Sequence, residues 1–293
     1  MSKKRWMLAA VVAGLVGVLA AAVIHDEGEA REPDGGWPTN FAHRGASTKA
    51  PENTLEAFRL AVEDGAGGLE LDVHMTSDGR VAVIHDDSVD RTTGGSGLVR
   101  DMTLREAQGL DGGYRFTPDG GSTYPYRGRG VRVPGLEEVL REFPDQRVNI
   151  DIKEARPGVE AAVLEAVTGA VAGDRVLVVS EILAVLERFR ELSGGDVSTG
   201  ASRREIERFY LFDRLRLESL LRPSYDALQV PVRFGGREVV TPRFVQAAHR
   251  RGVRVDVWTV DDPAEMRRLL DLGVDVVITN RPEALEEVAG ERR

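Results

Sequence analysis

The sequence predicts an α/β fold in which a mainly parallel sheet is covered by helices. Short apolar runs suited to strands alternate with amphipathic stretches whose apolar residues recur at helical spacing. Several of these stretches end in glycine, a residue that often ends helices. The 293 residues are enough for one α/β barrel. An open doubly wound sheet would satisfy the same pattern, and two smaller domains would fit the same length.

Nine apolar runs are candidates for strands, one more than a regular eight-stranded barrel uses. They are residues 41–44, 69–73, 81–85, 148–152, 176–180, 197–200, 226–231, 254–259 and 274–279. The clearest helical stretches are residues 53–65, 158–173 and 262–273. Only a short turn around the sequence TSDGR separates the second run from the third, which is too short for a helical crossover between parallel strands. The sequence therefore predicts an irregular arrangement.

The amino terminus has the pattern of an export signal or a membrane anchor. A basic stretch at residues 2–5 precedes Met7–Ile24, a run without charged or polar side chains. As a helix this run would span about 27 Å, which is close to the thickness of the hydrocarbon core. The positive flank predicts that the remainder of the chain faces outward. The alanines at 20–22 would also suit cleavage, which would release a secreted protein.

Residues 1–24 are therefore predicted to be a signal peptide or membrane anchor, and residues 25–39 a polar linker rich in Gly, Pro and acidic residues. The folded part is expected at residues 40–293. A net charge of -9 disfavours binding to nucleic acid, whose phosphates require clustered Lys and Arg. The absence of cysteine excludes disulfides, thiolate nucleophiles and Cys-ligated metals.

Ionisable side chains stand at the ends of two predicted strands, where α/β folds place their catalytic groups. His43 and Arg44 end the first run, and His85 ends the third. An imidazole titrates near neutral pH, so the two histidines are suited to remove and return a proton. The alternative is that one of them is purely structural. No comparable position is held by the other histidines, His25, His74 and His249.

Three carboxylates are predicted to face one interior. Strand alternation places Glu70 and Asp72 on one face of the second run, and it places Asp151 and Lys153 together on one face of the fourth. Buried carboxylates need a cation or protons. An all-oxygen set of this kind suits one Mg²⁺ or Ca²⁺ ion, with Lys153 as a charge beside a phosphate. A salt-bridged pair at an exposed sheet edge is the alternative for Glu70 and Asp72.

These residues lie in motifs that resemble the glycerophosphodiester phosphodiesterase (GDPD) family. The motifs are His43-Arg44-Gly45, Pro51-Glu52-Asn53-Thr54, Glu70-Leu71-Asp72-Val73, Ser77-Asp78-Gly79, His85-Asp86, Asp90-Arg91-Thr92-Thr93, Asn149-Ile150-Asp151-Ile152-Lys153, Val257-Trp258-Thr259-Val260 and Ile278-Thr279-Asn280-Arg281-Pro282. The resemblance extends from Phe41 to about Leu285. Motifs in this order and spacing are difficult to obtain by chance, so the resemblance is specific.

The resemblance implies an irregular TIM (β/α)8 barrel of the phospholipase-C-like phosphodiesterase type. It implies metal-dependent hydrolysis of glycerophosphodiesters to an alcohol and sn-glycerol 3-phosphate, with residues 86–133 as an insertion over the site. The implied site consists of His43 and His85 as the acid/base pair, Arg44, Lys153 and Trp258 at the substrate, and Glu70, Asp72 and Asp151 as ligands of one divalent cation, Mg²⁺ or Ca²⁺. The family usually has Glu at the position of Asp151.

Two other functions stay open from the sequence. A lysophospholipase D would use the same site on a single-chain lipid, and an apolar channel beside the site would distinguish it. A non-catalytic barrel that only binds a ligand is disfavoured, because both histidines and all the acidic residues are present. The expected partners are a small glycerophosphodiester or a lysophospholipid, no nucleic acid, and a membrane if the amino-terminal helix is not cleaved.

Overall fold

The computed structural model describes residues 37–291, and parallel strands are its central feature. Eleven strands occur in this part of the chain: β1 (Asn40–His43), β2 (Gly68–Met75), β3 (Val81–Val83), β4 (Arg147–Ile152), β5 (Val176–Val179), β6 (Ser198–Thr199), β7 (Ala227–Pro231), β8 (Arg233–Phe234), β9 (Arg237–Glu238), β10 (Arg254–Trp258) and β11 (Val276–Thr279). Eight of them run parallel in the order β6-β5-β4-β2-β1-β11-β10-β7. A parallel bridge between Gly200 and Ala227 joins the two ends of this order. The predicted barrel is therefore confirmed.

The third predicted run, residues 81–85, explains why the number of predicted strands exceeded eight. Strand β3 pairs antiparallel with β2, and the turn between them is closed by a hydrogen bond from the Thr76 N–H to the Arg80 carbonyl, 2.8 Å long. It lies beside the barrel as an addition to one of its strands. Strands β8 and β9 form a separate hairpin after β7, which the sequence did not predict.

Helices follow most of the barrel strands. They are α1 (Leu55–Glu63), α2 (Leu104–Gln108), α3 (Leu136–Glu142), α4 (Val159–Gly169), α5 (Leu183–Ser193), α6 (Arg203–Leu215), α7 (Pro242–Arg250), α8 (Pro263–Asp271) and α9 (Pro282–Gly290). Four begin at a side chain that accepts a hydrogen bond from the first turn, namely Thr54, Thr103, Thr241 and Asp262. The predicted helices at 53–65, 158–173 and 262–273 are confirmed as α1, α4 and α8.

The core lies between the outer faces of the strands and the helices. Leu69, Leu71 and Val73 of β2 are fully buried there together with Phe58 of α1. This burial leaves the alternate residues of β2 directed into the barrel.

Trp37 occupies the amino-terminal end of the barrel. Its ring stacks on Phe41, with 5.8 Å between centroids, and the Arg254 guanidinium carbon lies 4.1 Å from its centroid. Within residues 37–291 no helix is both long and apolar enough to cross a membrane. The predicted signal or anchor at Met7–Ile24 lies outside the described residues.

Candidate active site

Three adjacent strands bring six of the eight predicted site residues together at the carboxyl end of the barrel, and His85 and Trp258 come from other strands. In the β1–β2 pair His43 lies opposite Glu70, and in the β2–β4 pair Asp72 lies opposite Asp151. Lys153 directly follows β4. The positions predicted from strand alternation therefore meet in space because β1, β2 and β4 are neighbours in the sheet.

The three carboxylates form a buried acidic cluster. Glu70, Asp72 and Asp151 each offer an oxygen, and these oxygens lie within 4.8 Å of one another. Burial, together with the negative charges of the other two acids, raises the pKa of Glu70 well above its usual value. Burial likewise raises the pKa of Asp151. For Asp72 burial acts in the same direction, but the nearby Lys153 and Arg44 outweigh it and lower the pKa.

The cluster has the donor chemistry of a divalent-cation site. All its ligand atoms are carboxylate oxygens, which Mg²⁺ and Ca²⁺ prefer. The buried Asp151 Oδ1 has no hydrogen-bond partner among residues 37–291. The Lys153 ammonium lies 2.9 Å from Asp72 Oδ1 and 2.5 Å from Asp151 Oδ2, so it forms ion pairs with both acids. A cation would relieve the repulsion that raises the pKa of Glu70, and the residues therefore fit a metal.

His43 is held by a neutral amide. Its Nδ1–H donates to Asn280 Oδ1 at 2.7 Å, and the Asn280 amide nitrogen donates to Asp261 Oδ2 at 2.7 Å. The second bond fixes the orientation of the amide, so the His43 Nε2 is left facing Glu70 Oε2, 3.9 Å away. Burial lowers the pKa of His43. Asn280 follows β11 in a motif of the sequence, but its contact with His43 was not predicted.

His85 is held by a carboxylate. Its Nδ1–H donates to Asp86 Oδ1 at 2.7 Å, and its backbone carbonyl lies 3.0 Å from His74 Nε2. Hydrogen bonds from Arg91 and His85, which outweigh the effect of burial, lower the pKa of Asp86 to about 2. His74, which was not predicted to belong to the site, thus contacts the backbone of His85.

Arg44 is fixed by two acids beside the cluster. Its Nε lies 2.9 Å from Asp72 Oδ2, and its Nη1 donates to Glu52 Oε1 at 2.9 Å. Its backbone N–H donates to Glu70 Oε2 at 3.0 Å. The same Asp72 oxygen accepts a hydrogen bond from Asn53 at 2.9 Å. Arg44 is therefore held in one orientation by side chains from the loop before α1 and from β2.

A cavity of 750 Å³ opens over these residues. One side carries both histidines, Arg44, Glu70, Asp151 and Lys153. Other lining residues form an apolar wall, namely Ile206, Tyr210, Pro231, Phe234, Val239 and Trp258, and the charged side chains of Arg203, Glu207 and Arg237 also line the cavity. Trp258, predicted at the substrate, is thus part of the lining. Within the described part of the chain, none of the lining residues belongs to the segment 86–133.

Comparison with known proteins assigns the chain to a protein family. The sequence model of the glycerophosphoryl diester phosphodiesterase family matches residues 43–284. The chain belongs to this family. The match covers every residue predicted for the site, and the chain is accordingly a phosphodiester hydrolase.

Individual relatives agree with the family assignment. A glycerophosphodiester phosphodiesterase of Caldanaerobacter subterraneus is 37% identical over 84% of this chain and 95% of the relative. One from Bacillus altitudinis is 33% identical over 86% of this chain and 98% of the relative. The fold resembles the crystal structure of a GDPD domain from Mycobacterium tuberculosis, with a TM-score of 0.76 and 22% identity over 87% of this chain and 99% of that one. The GDPD fold predicted from the motifs is thus confirmed.

Proposed function

We propose that this GDPD protein hydrolyses glycerophosphodiesters to an alcohol and sn-glycerol 3-phosphate, with one Mg²⁺ or Ca²⁺ ion bound at the acidic cluster. The observation that carries the proposal is the meeting of His43 and His85 with Arg44, Lys153 and the acidic cluster at one cavity. Cleavage of a phosphodiester requires these elements: proton transfer at two oxygens and positive charge at the phosphate.

The two histidines are suited to the two proton transfers. In each of them Nδ1 is already in a hydrogen bond, to Asn280 or to Asp86, so Nε2 is the nitrogen left for substrate. One imidazole removes the proton of the attacking oxygen and the other protonates the leaving alkoxide. The lowered pKa of His43 keeps its ring neutral at neutral pH, which is the form that accepts a proton.

Arg44 and Lys153 place positive charge at the phosphate. Both line the cavity, and the acids that bind them hold them in fixed orientations. A divalent cation held by Glu70, Asp72 and Asp151 would polarise the phosphoryl oxygens and supply further positive charge. Trp258 lies at the edge of the same cavity and is suited to contact the remainder of the substrate.

A lysophospholipase D activity is a second candidate, because of the apolar wall. A cavity of 750 Å³ lies in the upper part of the range for small-molecule sites, roughly 300–1,000 Å³. Ile206, Tyr210 and Phe234 offer an apolar surface that a glycerophosphodiester with a small polar alcohol does not use. The single acyl chain of a lysophospholipid would cover this surface.

Parallel assays of glycerophosphocholine and lysophosphatidylcholine test both candidates. We expect release of sn-glycerol 3-phosphate from glycerophosphocholine, loss of this activity in a chelator, and its recovery with Mg²⁺ or Ca²⁺. Absence of product in the presence of either ion would contradict the proposal. If the lipid is also a substrate, Phe234→Ala should lower its turnover by ~10-fold and leave glycerophosphocholine turnover unchanged, since only the lipid uses the apolar wall.

A further inference from the structure

Arg91 forms ion pairs with two carboxylates beside the cavity. In the described part of the chain, Arg91 itself is not among the residues that line the cavity. Its Nε lies 2.6 Å from Asp86 Oδ2. Its Nη1 and Nη2 each donate to one oxygen of Glu52, both at 2.8 Å. One planar guanidinium therefore binds both acids, and Glu52 is bound in a bidentate manner.

Each of these acids also holds a residue of the site. The second oxygen of Asp86 accepts the Nδ1–H of His85 at 2.7 Å. Glu52 Oε1 accepts a hydrogen bond from Arg44 at 2.9 Å. The contacts thus form one continuous chain from His85 through Asp86, Arg91 and Glu52 to Arg44.

We infer that Arg91 is a positioning residue that sets the orientations of His85 and Arg44 together. The inference rests on the proposed function, in which His85 transfers a proton and Arg44 binds the phosphate. It gives the segment 86–133 a role in turnover, although this segment contributes no side chain to the cavity wall within the described residues.

The geometry requires a guanidinium. Its donors lie in one plane and can bind two carboxylates at once, whereas a lysine ammonium is a compact charge on a flexible stem. The Asp86 and Glu52 side chains are 29% and 21% exposed, so water competes for their oxygens when Arg91 is removed. Each acid would then keep only its bond to His85 or to Arg44, and the orientations of these two residues would be less restricted.

A purely structural role predicts a different result. The Arg91 side chain is 47% exposed, but its bidentate pair with Glu52 and its place in a network of charges can contribute to stability. If its role were only structural, removal of Arg91 would lower the midpoint of urea unfolding and leave kcat and KM near the parental values. A misplacement of about 1 Å in a catalytic group can lower turnover by ~10²-fold, so a positioning role predicts a clear loss of kcat.

The first arm of the test measures kcat and KM for glycerophosphocholine in full-length Arg91→Ala and Arg91→Lys, with exposed Arg129→Ala as the control in the same segment. We expect kcat to fall by ~10-fold or more in both variants and KM to change less. Millimolar guanidinium ion should restore part of the activity of Arg91→Ala, and ammonium ion should not. Parental kcat in Arg91→Ala, or a loss equalled by Arg129→Ala, would overturn the inference.

The second arm does not depend on turnover. In the parent, the His85 Nδ1–H that is bonded to Asp86 should give a slowly exchanging, downfield proton signal in NMR spectra, assigned by its loss in His85→Ala. Arg91→Ala should broaden or abolish this signal, and Arg129→Ala should retain it. An unchanged signal in Arg91→Ala would overturn the positioning role. A parent without phosphodiesterase activity would instead refute the proposed function, and the NMR result would still decide whether Arg91 orients His85.

Discussion

The two histidines of the site are held by partners of different charge. His43 donates to the neutral amide of Asn280, whereas His85 donates to the carboxylate of Asp86. The buried ring of His43 also loses hydration, which lowers its pKa. The two rings therefore differ in electrostatic surroundings although they share one cavity.

Asp86 gives a prediction about stability and pH. Its pKa of about 2 in the folded protein is below the ordinary value of about 4. The ionised form therefore favours folding fully above pH ~4, and this contribution is lost as the pH falls from about 4 towards 2. We expect the difference in unfolding free energy between the parent and Asp86→Ala to shrink as the pH falls from about 4 to 3. Urea unfolding at each pH measures it, and a difference that grows over this range would contradict the assignment.

The Asp151 position tests the acidic cluster as a metal site. Asp151→Glu restores the side chain that the family usually has, so Mg²⁺ or Ca²⁺ binding and much of the activity should remain. Asp151→Asn removes a charged oxygen and should weaken binding by ~10-fold or more, because hard cations prefer carboxylates. Calorimetric titration with each ion measures both variants. If Asp151→Asn binds the ion and turns over substrate like the parent, Asp151 is not a ligand.

Alternation along single strands was sufficient to predict which acidic residues face the interior, but it was not sufficient for the partners of the histidines. Glu70 and Asp72 share a face because they are two residues apart in one strand. Asn280 reaches His43 from 237 positions along the chain, through the pairing of β1 with β11. Such a contact depends on which strands become neighbours, and the pattern of a single segment does not contain that information.

At the level of elements, the turn after β1 is restricted by the close approach of α1. Gly45 has a φ of +82°, and a Cβ at this position would lie 2.6 Å from the backbone carbonyl carbon of Ala57. The turn carries Arg44, whose own φ is +56°. The position of Arg44, which is proposed to bind the phosphate, is therefore coupled to the packing of a helix against the barrel.

Gly45→Ala should consequently disturb both stability and activity. Strain at positive φ costs about 1–2 kcal/mol, and overlap with the backbone of α1 raises the total to roughly 3 kcal/mol or more. Gly79→Ala is the matched control, because Gly79 has a φ of +73° but open space around its Cβ position. Gly79→Ala should lower the free energy of unfolding only by the cost of the positive φ, about 1–2 kcal/mol, and keep normal turnover. Urea unfolding and glycerophosphocholine assays compare the two, and equal losses would show that the approach of α1 is unimportant.

The strands that were not predicted from the sequence have weak hydrophobic patterns. Strands β8 and β9 have two exposed residues each, so they show neither an apolar run nor alternation. By contrast, the short turn before β3 excluded a helical crossover and so indicated that β3 does not pair parallel with β2. The closure of the barrel could not be read from periodicity, because it depends on the single bridge between Gly200 and Ala227.

At the level of the whole molecule, the two ends of the barrel differ in chemistry. The amino-terminal end is filled by Trp37 against Phe41 and Arg254. The carboxyl end holds the histidines, the acidic cluster and the cavity. Strand β1 therefore enters the barrel at the end opposite the cavity.

The amino-terminal prediction can be tested in the whole protein. If Met7–Ile24 is retained as a helix in the membrane, the full-length chain should sediment with membranes and resist extraction by high salt. A truncated protein that begins at Trp37 should stay in the supernatant and keep full turnover, since it retains the Trp37–Phe41 stack. Recovery from cells of a mature chain that begins after Ala22 would show instead that the segment is a cleaved signal.

The most direct measurement is the turnover of glycerophosphocholine by His43→Ala and His85→Ala beside the parent. His249→Ala is the control, because this histidine bonds to Asp275 away from the cavity lining. We predict that each site variant lowers kcat by ~10² or more, since each removes a proton-transfer group, while the control stays near the parent. Folding is verified by urea unfolding of all three variants. Near-parental kcat in a folded His43→Ala or His85→Ala protein would contradict the account of this site.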